Sequence, residues 1–399
     1  MKGALDGVTV LDFTAMIAGP YCTRLMADAG AEVLKIEPLE GDYIRTRAPI
    51  RAGESVYFGV LNAGKQSVAL NLKKPEGVEL AKQLAAASDV VVENFRPGVA
   101  KRLGFDYTAL SAINPRLVYC SISGYGQTGK YASLPAYAPI VHAASGFDIA
   151  NMSYQGAERP MKSAIFVADY LTGVHAFGAI CAALVRCSRN PDDTDKGEYI
   201  DCALMDAMVG MLGYEVAEAQ GPASGPRPLY QAVRTLDGFL MVAPISQGNF
   251  EDMADAIDRA DLKSDPRFAL PAARSTNWQA LMDEADRWAS DKTLDQAESI
   301  MVAFGVPHAR YQSARDVLSS EYALERGLFA TVGSGSAEIC VTNPPFRMEG
   351  VGTAGRVPAL GEHGRSVLER VLGRGPADIE QLIREGVLGR ADNSENAEE

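Results

Sequence analysis

Short apolar runs alternate with amphipathic segments along the first half of the chain. Runs rich in β-branched residues predict strands at residues 8–13, 32–37, 67–71, 89–93 and 117–123. Helical periodicity fills the gaps, as at residues 20–29, where Pro20 opens the segment and Gly30 follows it. Strands that alternate with helices of about 10–15 residues form parallel sheets covered on both faces. The pattern predicts an α/β fold with a Rossmann-like large domain.

The pattern changes after residue 220. Residues 221–228 are rich in Pro and Gly, which is typical of a linker. Two apolar runs then flank Asp237-Gly238, a strong hairpin signal. Helical segments follow at residues 249–260, 277–289 and 293–303. This region predicts a smaller α+β domain.

The remaining segments complete the predicted domain organisation. Helical patterns return at residues 364–373 and 376–387, after extended Pro-containing segments. The last residues are acidic and poor in apolar side chains, which is typical of disorder. We predict a large domain over residues 1–220 and 326–390, a small domain with its linkers over 221–325, and a disordered acidic tail over 391–399.

Composition narrows the possible partners. Of 399 residues, 47% are hydrophobic, which is enough for a large core, and the net charge is −13. Nucleic acid is not an expected partner, because phosphate binding needs a basic face. No apolar run approaches the roughly 18–20 residues of a membrane span, and the start of the chain does not follow the pattern of a secretory signal. We therefore expect a cytoplasmic protein with no membrane partner.

Cysteine and histidine spacing gives no sign of a metal site. The six cysteines form no CxxC pair and lie mostly in apolar segments, so we expect reduced thiols. The four histidines show no HxxH or HExxH spacing. No metal is expected.

One motif resembles a dinucleotide fingerprint. Gly124-Tyr-Gly-Gln-Thr-Gly129 matches GxGxxG and follows a predicted strand. That fingerprint must open a helix whose N-terminus receives a pyrophosphate. Here two prolines, Pro135 and Pro139, interrupt the following segment. The context therefore argues against an NAD site.

Asp169 is the one acid in the apolar stretch Ala164-Ile-Phe-Val-Ala-Asp-Tyr-Leu-Thr-Gly173, which leads into a long Ala-rich segment. Burying a lone carboxylate is costly unless backbone donors or chemistry hold it there. Taken alone, the pattern favours a cap for a helix over residues 170–187, because helix N-termini attract negative charge. A chemical role is the alternative.

Several motifs along the chain occur in an order typical of one family. They are Leu5-Asp-Gly-Val-Thr-Val-Leu-Asp-Phe13, Ala18-Gly-Pro20, Ala29-Gly-Ala-Glu-Val-Leu-Lys-Ile-Glu37, Leu61-Asn-Ala-Gly-Lys65, Val92-Glu-Asn-Phe-Arg-Pro-Gly98, Ser121-Ile-Ser-Gly-Tyr-Gly126, Ala168-Asp-Tyr-Leu-Thr-Gly173 and Pro358-Ala-Leu-Gly-Glu-His363. In this order they resemble the class III CoA-transferases (the formyl-CoA and carnitine CoA-transferase type), a family that includes α-methylacyl-CoA racemases. The likeness extends from about residue 5 to residue 390.

The resemblance assigns chemistry to Asp169. This residue matches the family's catalytic aspartate, which attacks an acyl-CoA and forms an aspartyl anhydride and then an aspartyl-CoA thioester. The family's glycine-containing loop corresponds to Ile245-Ser-Gln-Gly-Asn249, so Gly248 is a candidate for oxyanion stabilisation. A plain turn into the following helix is the alternative for Gly248. CoA and acyl-CoA are implied as substrates, with no tightly bound cofactor.

The resemblance also implies ligand contacts. Tyr137 matches both a CoA contact and the position where racemases place a catalytic His, so a racemase would lack its base here. His142 is a candidate substrate contact, although a core role is the commoner one for such a histidine. Apolar Ile17 and Ala138 stand where oxalate transferases have polar residues, which favours a larger or less polar acid. The implied CoA contacts are Ile17, Ala18, Leu70, Lys73, Asn94, Phe95, Arg96, Arg102, Leu103 and Tyr137.

Three functions remain open at this point. Transfer of CoA between carboxylic acids through Asp169 is favoured. An acyl-CoA racemase and a non-catalytic acyl-CoA binding protein are the alternatives. The family's architecture implies an interlocked homodimer, in which each ring-shaped chain is threaded through its partner.

Overall fold

The computed structural model describes residues 3–189, 197–222, 227–333, 338–353 and 355–390. These residues form two compact units, one from residues up to Gly213 and from Leu324 onward, the other Tyr214–Ala323. The second unit starts before the Pro/Gly-rich segment of residues 221–228, and Glu215 near its start pairs with Arg227 of that segment at 3.1 Å. The predicted tail, residues 391–399, lies outside the described residues.

Strands and helices alternate through most of the first unit. The strands of the first unit are β1 (Thr9–Asp12), β2 (Glu32–Glu37), β3 (Ile50–Arg51), β4 (Glu54–Ser55), β5 (Gln66–Ala69), β6 (Val90–Glu93), β7 (Val118–Ser123), β8 (Glu198–Ala203), β12 (Phe329–Val332) and β13 (Ile339–Thr342). Those of the second unit are β9 (Ala232–Arg234), β10 (Phe239–Val242) and β11 (His308–Arg310). The helices up to residue 218 are α1 (Ala18–Asp28), α2 (Val56–Asn62), α3 (Pro75–Ala86), α4 (Val99–Leu103), α5 (Tyr107–Ser111), α6 (Ala138–Ala144), α7 (Phe147–Tyr154), α8 (Val167–Arg189), α9 (Leu204–Met211) and α10 (Gly213–Glu218).

A six-stranded parallel sheet in the order β5-β2-β1-β6-β7-β8 forms the centre of the first unit. The five predicted strands are all present, which confirms the predicted parallel sheet. The sequence analysis missed the sixth strand, β8. Its residues are mostly half-buried or exposed because it lies at the edge of the sheet, so it has no apolar run.

Two apolar layers cover the sheet. On one face, Leu80, Leu84, Val367 and Leu382 belong to a core cluster with Leu11 and Leu34. The other face packs against α1, α6, α8 and α9, with Cys22, Val141, Ala176 and Met208 in its cluster. Helices α17 (Gly364–Leu372) and α18 (Pro376–Arg384) on the first face occupy the predicted C-terminal helical segments. The chain therefore returns to the large unit after residue 323.

Successive strands are added on opposite sides of β1, so the sheet has a topological switch point beside this strand. From β1 the chain adds β2 and β5 on one side, whereas β6, β7 and β8 extend the other side. Such a switch point opens a crevice at the carboxyl ends of the strands, which is where open α/β sheets bind ligands. The GxGxxG segment lies elsewhere, after β7, and the next helix, α6, begins at Ala138. This confirms that the motif does not open a helix.

The second unit is a small α+β structure. Strands β9 and β10 form the predicted hairpin, with Arg234 paired to Phe239, and β11 completes an antiparallel sheet. The helices that cover this sheet and connect back to the first unit are α11 (Gln247–Ala256), α12 (Pro271–Thr276), α13 (Trp278–Ala289), α14 (Leu294–Ala303), α15 (Ala314–Leu318) and α16 (Glu321–Arg326).

Helix α8 is the longest helix described and is rich in apolar residues. By length and composition alone it is the one described helix that could cross a membrane. The sequence analysis predicted this helix over residues 170–187 but found no apolar run as long as a membrane span. Within this unit α8 packs against α1 and the sheet, although only 28% of its most apolar window is buried. Core helices pass the same test, so length alone does not indicate a membrane span.

Candidate active site

A cleft of about 750 Å³ opens at the carboxyl ends of β1, β2, β5 and β6. Four of the predicted CoA contacts line it: Leu70, Lys73, Phe95 and Leu103. Phe13 packs against Phe95 with ring centroids 6.2 Å apart, so one wall is aromatic. An apolar wall with a few charged groups suits a ligand with both a ring and phosphates.

The other predicted CoA contacts lie outside this lining. Arg96 and Arg102 are exposed on the segment after β6 and on α4, where they could meet phosphates only from the surface. Tyr137 is 61% exposed and stands at the N-cap of α6. Ile17 and Ala18 are buried at the start of α1.

The segment Thr14–Ile17 connects β1 to α1 and forms one end of the cleft through Thr14 and Ala15. Asn94 clamps Ala15 from the neighbouring strand: its Oδ1 accepts the Ala15 N–H at 2.9 Å and its Nδ2 donates to the Ala15 carbonyl at 2.7 Å. Met16 has a left-handed backbone with φ of 68°. A non-glycine residue persists there only where the surroundings hold it.

Buried ion pairs anchor this segment from below. Asp12 Oδ1 accepts both the N–H and the hydroxyl of Thr14, at 2.8 and 2.5 Å. Lys65 donates to Asp12 Oδ2 at 3.0 Å, and Lys35 donates to the Thr14 carbonyl at 2.8 Å and to Asp42 at 3.1 Å. These four charged side chains are almost fully buried. The network ties the end of β1 to β2 and α2 and so fixes where α1 begins.

Asp169 stands in the first turn of α8, two residues after its start, rather than at the predicted cap position. No hydrogen-bond or ion-pair partner reaches its carboxylate from the described part of the chain. Burial raises the pKa of the Asp169 carboxyl to about 6. A carboxylate without partners in an apolar setting is a stronger nucleophile than one in water, because desolvation disfavours its charged form.

The close packing of α8 on α1 places Asp169 beside the segment Thr14–Ile17. A Cβ added at Gly173 would lie 2.7 Å from the Ala18 carbonyl oxygen, so only glycine permits this approach. Asp169 precedes Gly173 by one helical turn on the same face. It therefore lies on the face of α8 that packs on α1, next to the cluster that Ile17 and Met16 form with Phe166 and Tyr170.

Two tyrosines border the carboxylate. The Tyr170 hydroxyl donates to the Tyr57 hydroxyl at 3.4 Å. Burial raises the pKa of both phenols, and the charge of Asp169 raises each of them further. The sequence analysis missed Tyr57 because it lies in an unremarkable helical run, Val56–Asn62. Both phenols stay protonated at neutral pH and can donate hydrogen bonds.

His142 is buried and lies close to Asp169 in the fold. Its Nε2 accepts the backbone N–H of Ala168 at 3.1 Å. Burial lowers the pKa of His142, although Asp148 opposes the shift. The neutral ring has only one acceptor nitrogen, and that nitrogen is already occupied. This arrangement fits the core role for His142 and speaks against its use as a base.

Gly248 lies in the second unit, within the first turn of α11. Ser246 precedes it as the N-cap, with its Oγ accepting the Asn249 N–H at 3.1 Å, while Asn249 accepts the Ser246 N–H at 3.3 Å. The segment is thus a capped helix start with an exposed glycine. A role for Gly248 in oxyanion stabilisation stays a prediction.

Charged residues within apolar strands are a sequence signal for this site that the sequence analysis did not use. Asp12 ends an apolar strand and Lys35 interrupts another, yet neither was singled out from the sequence. Charged groups are buried only when paired, so each predicted a partner. Across the described ranges, no group of three or more His, Cys, Asp or Glu residues is placed to hold a metal ion.

Comparisons with known proteins identify the family of this chain. A family model described as CoA-transferase family III matches residues 5–364. Succinyl-CoA:glutarate CoA-transferase of Mus musculus is 33% identical, with 96% of this chain and 90% of the relative covered. Succinyl-CoA–D-citramalate CoA-transferase of Chloroflexus aurantiacus is 32% identical, with 96% and 98% covered.

A solved structure is similar over nearly the whole chain. It is a CaiB/BaiF family protein from Brucella suis, which superposes with a TM-score of 0.80 at 31% identity and covers 93% of this chain and 100% of its own. The likeness to relatives and to this structure extends through both units. The chain belongs to CoA-transferase family III and is an enzyme of that class.

Proposed function

We propose that this enzyme moves CoA from an acyl-CoA thioester to a carboxylic acid by covalent catalysis at Asp169. One observation supports the proposal most: the Asp169 carboxylate is partly buried, lacks partners among the described residues, and lies beside the segment that ends the cleft. A structural aspartate at a helix start would instead accept backbone N–H groups.

The reaction proceeds through exchange at two carbonyl carbons. An Asp169 oxygen attacks the thioester carbonyl carbon, and the C–S bond breaks. CoA departs as a thiolate, and the product on the enzyme is an aspartyl–acyl anhydride. The thiolate then attacks the aspartyl carbonyl, which releases the donor acid and leaves an aspartyl-CoA thioester. The acceptor carboxylate then attacks the aspartyl-CoA thioester, which releases the thiolate and forms an aspartyl–acceptor anhydride. The thiolate attacks the acceptor's acyl carbon in this anhydride. This last step yields the new acyl-CoA and restores the Asp169 carboxylate.

The apolar surroundings of Asp169 serve this sequence of steps. Water would hydrolyse the anhydride, so exclusion of water keeps the acyl group on the enzyme. Leu70, Lys73, Phe95 and Leu103 would hold the CoA portion in the cleft, with the Arg96 and Arg102 side chains at its rim. Ile17 and Ala18 would border the thioester where α1 meets α8.

A racemase fits these residues less well. A two-base mechanism needs groups that can remove an α-proton near neutral pH. Tyr137 is a phenol in place of the required imidazole and is mostly exposed. The acceptor nitrogen of His142 is occupied by Ala168. CoA transfer is therefore the better reading of the site.

The test is trapping at Asp169. With succinyl-CoA and hydroxylamine, the wild-type protein should gain a hydroxamate on Asp169, read by mass spectrometry, and none without acyl-CoA. Asp169→Ala should lose transfer by at least about 10⁴-fold, because the nucleophile is gone, while CoA still binds. Asp206→Asn is the matched control, since Asp206 also stands in a first helical turn but is exposed.

Two results would contradict the proposal. One is turnover by Asp169→Ala at the wild-type rate, and the other is a hydroxamate at a different acid. Loss of α-deuterium from the acyl group without transfer would identify a racemase instead. Binding of acyl-CoA with neither reaction would identify a non-catalytic member.

The acceptor is proposed to be a carboxylic acid larger than oxalate. Ile17 and Ala138 are both buried and apolar. Their side chains therefore offer no hydrogen bonds to the second carboxylate of oxalate, which is bonded directly to the first. The two relatives named above pair succinyl-CoA with glutarate or D-citramalate. A panel of these acids with formate and oxalate should give a kcat/KM for oxalate at least about tenfold lower. Equal or higher kcat/KM with oxalate would refute this assignment.

We also propose a cytoplasmic homodimer. The exposed apolar side chains on the α6–α9 side of the large unit are numerous for a free surface: Tyr137, Ile140, Ile149, Val174, Val185, Val209 and Met211. A second copy of the chain could cover them. Sedimentation velocity should give a dimer mass, and a monomer at micromolar concentration would refute it. No disulfide joins the six cysteines, all of which lie in the described ranges, and this suits a reducing compartment.

A further inference from the structure

The residue before helix α8 has no side-chain acceptor that could cap the helix. Phe166 precedes Val167, and a phenyl ring cannot accept the N–H groups that every helix start leaves free. The nearest upstream hydroxyl, Ser163, accepts the Ile165 N–H at 3.2 Å instead. The first turn of α8, which contains Asp169, therefore depends on groups from elsewhere.

His142 supplies one such group from α6. Its Nε2 accepts the Ala168 N–H at 3.1 Å, one residue before Asp169. Ala168 is fully buried, so this N–H has no access to water and would be left unsatisfied without the histidine. The histidine thus replaces the missing cap through a tertiary contact.

The ring is fixed in place by its own neighbours. Phe147 packs against it with ring centroids 5.4 Å apart. The His142 carbonyl accepts the Ser145 hydroxyl at 3.2 Å, which anchors the end of α6. Ala138 and Val141 on the same helix belong to the core cluster that contains Ala168. A rigid ring can therefore hold the first turn of α8 in one position.

We propose that His142 is a positioning residue, which accepts the Ala168 N–H and so fixes the first turn of α8 and the direction of the Asp169 carboxylate. The inference rests on the function proposed above, because it assigns His142 a part in that reaction. His142 contacts neither substrate nor reacting atoms in this account. It acts through the backbone of α8.

The neutral tautomer follows from the same contact. An Nε2 that accepts must carry a lone pair, so the proton is on Nδ1. A protonated ring would turn a second donor toward the Ala168 N–H and break the cap. The lowered pKa of the buried ring keeps it neutral at physiological pH.

Substitutions at His142 separate the hydrogen bond from the packing. His142→Phe keeps a ring of similar size but has no acceptor. His142→Gln places an amide oxygen near the position of Nε2 and should restore the cap. The matched control is His175→Phe, since His175 is an exposed histidine on α8 itself, where its Nδ1 contacts the carbonyl of Leu171 one turn earlier, at 2.8 Å.

The expected result is a loss in kcat rather than in binding. A reacting group misplaced by about 1 Å costs roughly 100-fold, so His142→Phe should lower kcat about 10- to 100-fold and change the KM for acyl-CoA less than threefold. His142→Gln should recover most of kcat, and His175→Phe should match wild type. If His142→Phe does not fold, His142→Met fills similar space with at most a weak acceptor and should show the same loss.

Hydrogen exchange at the Ala168 amide tests the His142–Ala168 hydrogen bond independently of enzyme activity. Exchange in a peptide spanning residues 165–172 should quicken in His142→Phe and return toward wild type in His142→Gln. An unchanged exchange rate in His142→Phe would overturn the cap, and faster exchange with unchanged kcat would overturn the positioning role. If wild type shows no transfer, the proposed function fails, while exchange still reports on the cap.

Discussion

Asp12 and Asp169 are two carboxylates in apolar surroundings on neighbouring elements, and they have opposite environments. Lys65, Thr14 and Thr23 all donate to Asp12, at distances from 2.5 to 3.0 Å. Burial alone would raise the pKa of Asp12, but the charges of Lys65 and Lys35 and these hydroxyls hold it below its usual value. Asp169 is largely buried and has no partner among the described residues, and burial raises its pKa to about 6.

The difference separates a structural carboxylate from a reactive one. Asp12 is stable as an anion because its charge is fully compensated, and its lone pairs are engaged. The Asp169 lone pairs remain available to attack a carbonyl carbon, at a cost to the stability of the folded chain. The network around Asp12 also fixes the segment Thr14–Ile17 against which Asp169 is placed. One carboxylate thus stabilises the geometry that the other uses.

Removing the compensated charge should have the larger effect on stability. Asp12→Asn leaves Lys65 buried without a counter-charge, which should lower the free energy of unfolding by about 3–5 kcal/mol. Urea unfolding at pH 7.5 measures the change. Glu380→Gln is the control, because it breaks an exposed pair with Arg365 and should cost less than about 1 kcal/mol. Equal losses in the two variants would show that the Asp12 pair is no more important than a surface pair.

Removing the uncompensated charge should act in the opposite direction. The raised pKa means that folded Asp169 binds a proton more tightly than unfolded Asp169 does, so stability falls as the pH rises from about 4 to about 6. Asp169→Asn should therefore stabilise the protein by up to about 3 kcal/mol at pH 8. The gain should be about half as large at pH 5 and absent below about pH 4.

Urea unfolding across this pH range measures the predicted gain. The Asp206→Asn control should change the free energy of unfolding by less than about 0.5 kcal/mol at every pH, because Asp206 is exposed. If Asp169→Asn were destabilising at pH 8, an unrecognised partner would hold the Asp169 carboxylate. That result would remove the contrast with Asp12.

The alternation of apolar runs predicted the parallel sheet and five of its six strands. It did so because a strand buried on both faces must be apolar throughout, and a crossover helix must show a periodic apolar face. Edge strand β8 was missed for the same reason, since half of its residues face away from the core. The small unit's hairpin was found from Asp237-Gly238, a local turn signal.

Only part of the candidate active site could be predicted from the sequence. The sequence identified Asp169 as a lone acid in an apolar segment, and family resemblance gave Leu70, Lys73, Phe95 and Leu103, which the fold brings into one cleft. Tyr57, the Lys35–Asp42 pair and the Asn94 clamp on Ala15 were not predicted. Tyr57 and the Asn94 clamp contact residues far apart in the chain. Lys35 and Asp42 are only 7 residues apart, but the loop after β2 brings them together, and no helical or strand period relates them.

The sequence by itself determined the α/β class, the two-part organisation and the position of the candidate nucleophile, because each depends on local propensity or on a motif. Tertiary structure alone decided that Asp12 is compensated, that Asp169 is not, and that His142 accepts the Ala168 N–H. A carboxylate's chemistry depends on which donors surround it in space. Those donors come from different strands and helices, and only folding brings them together.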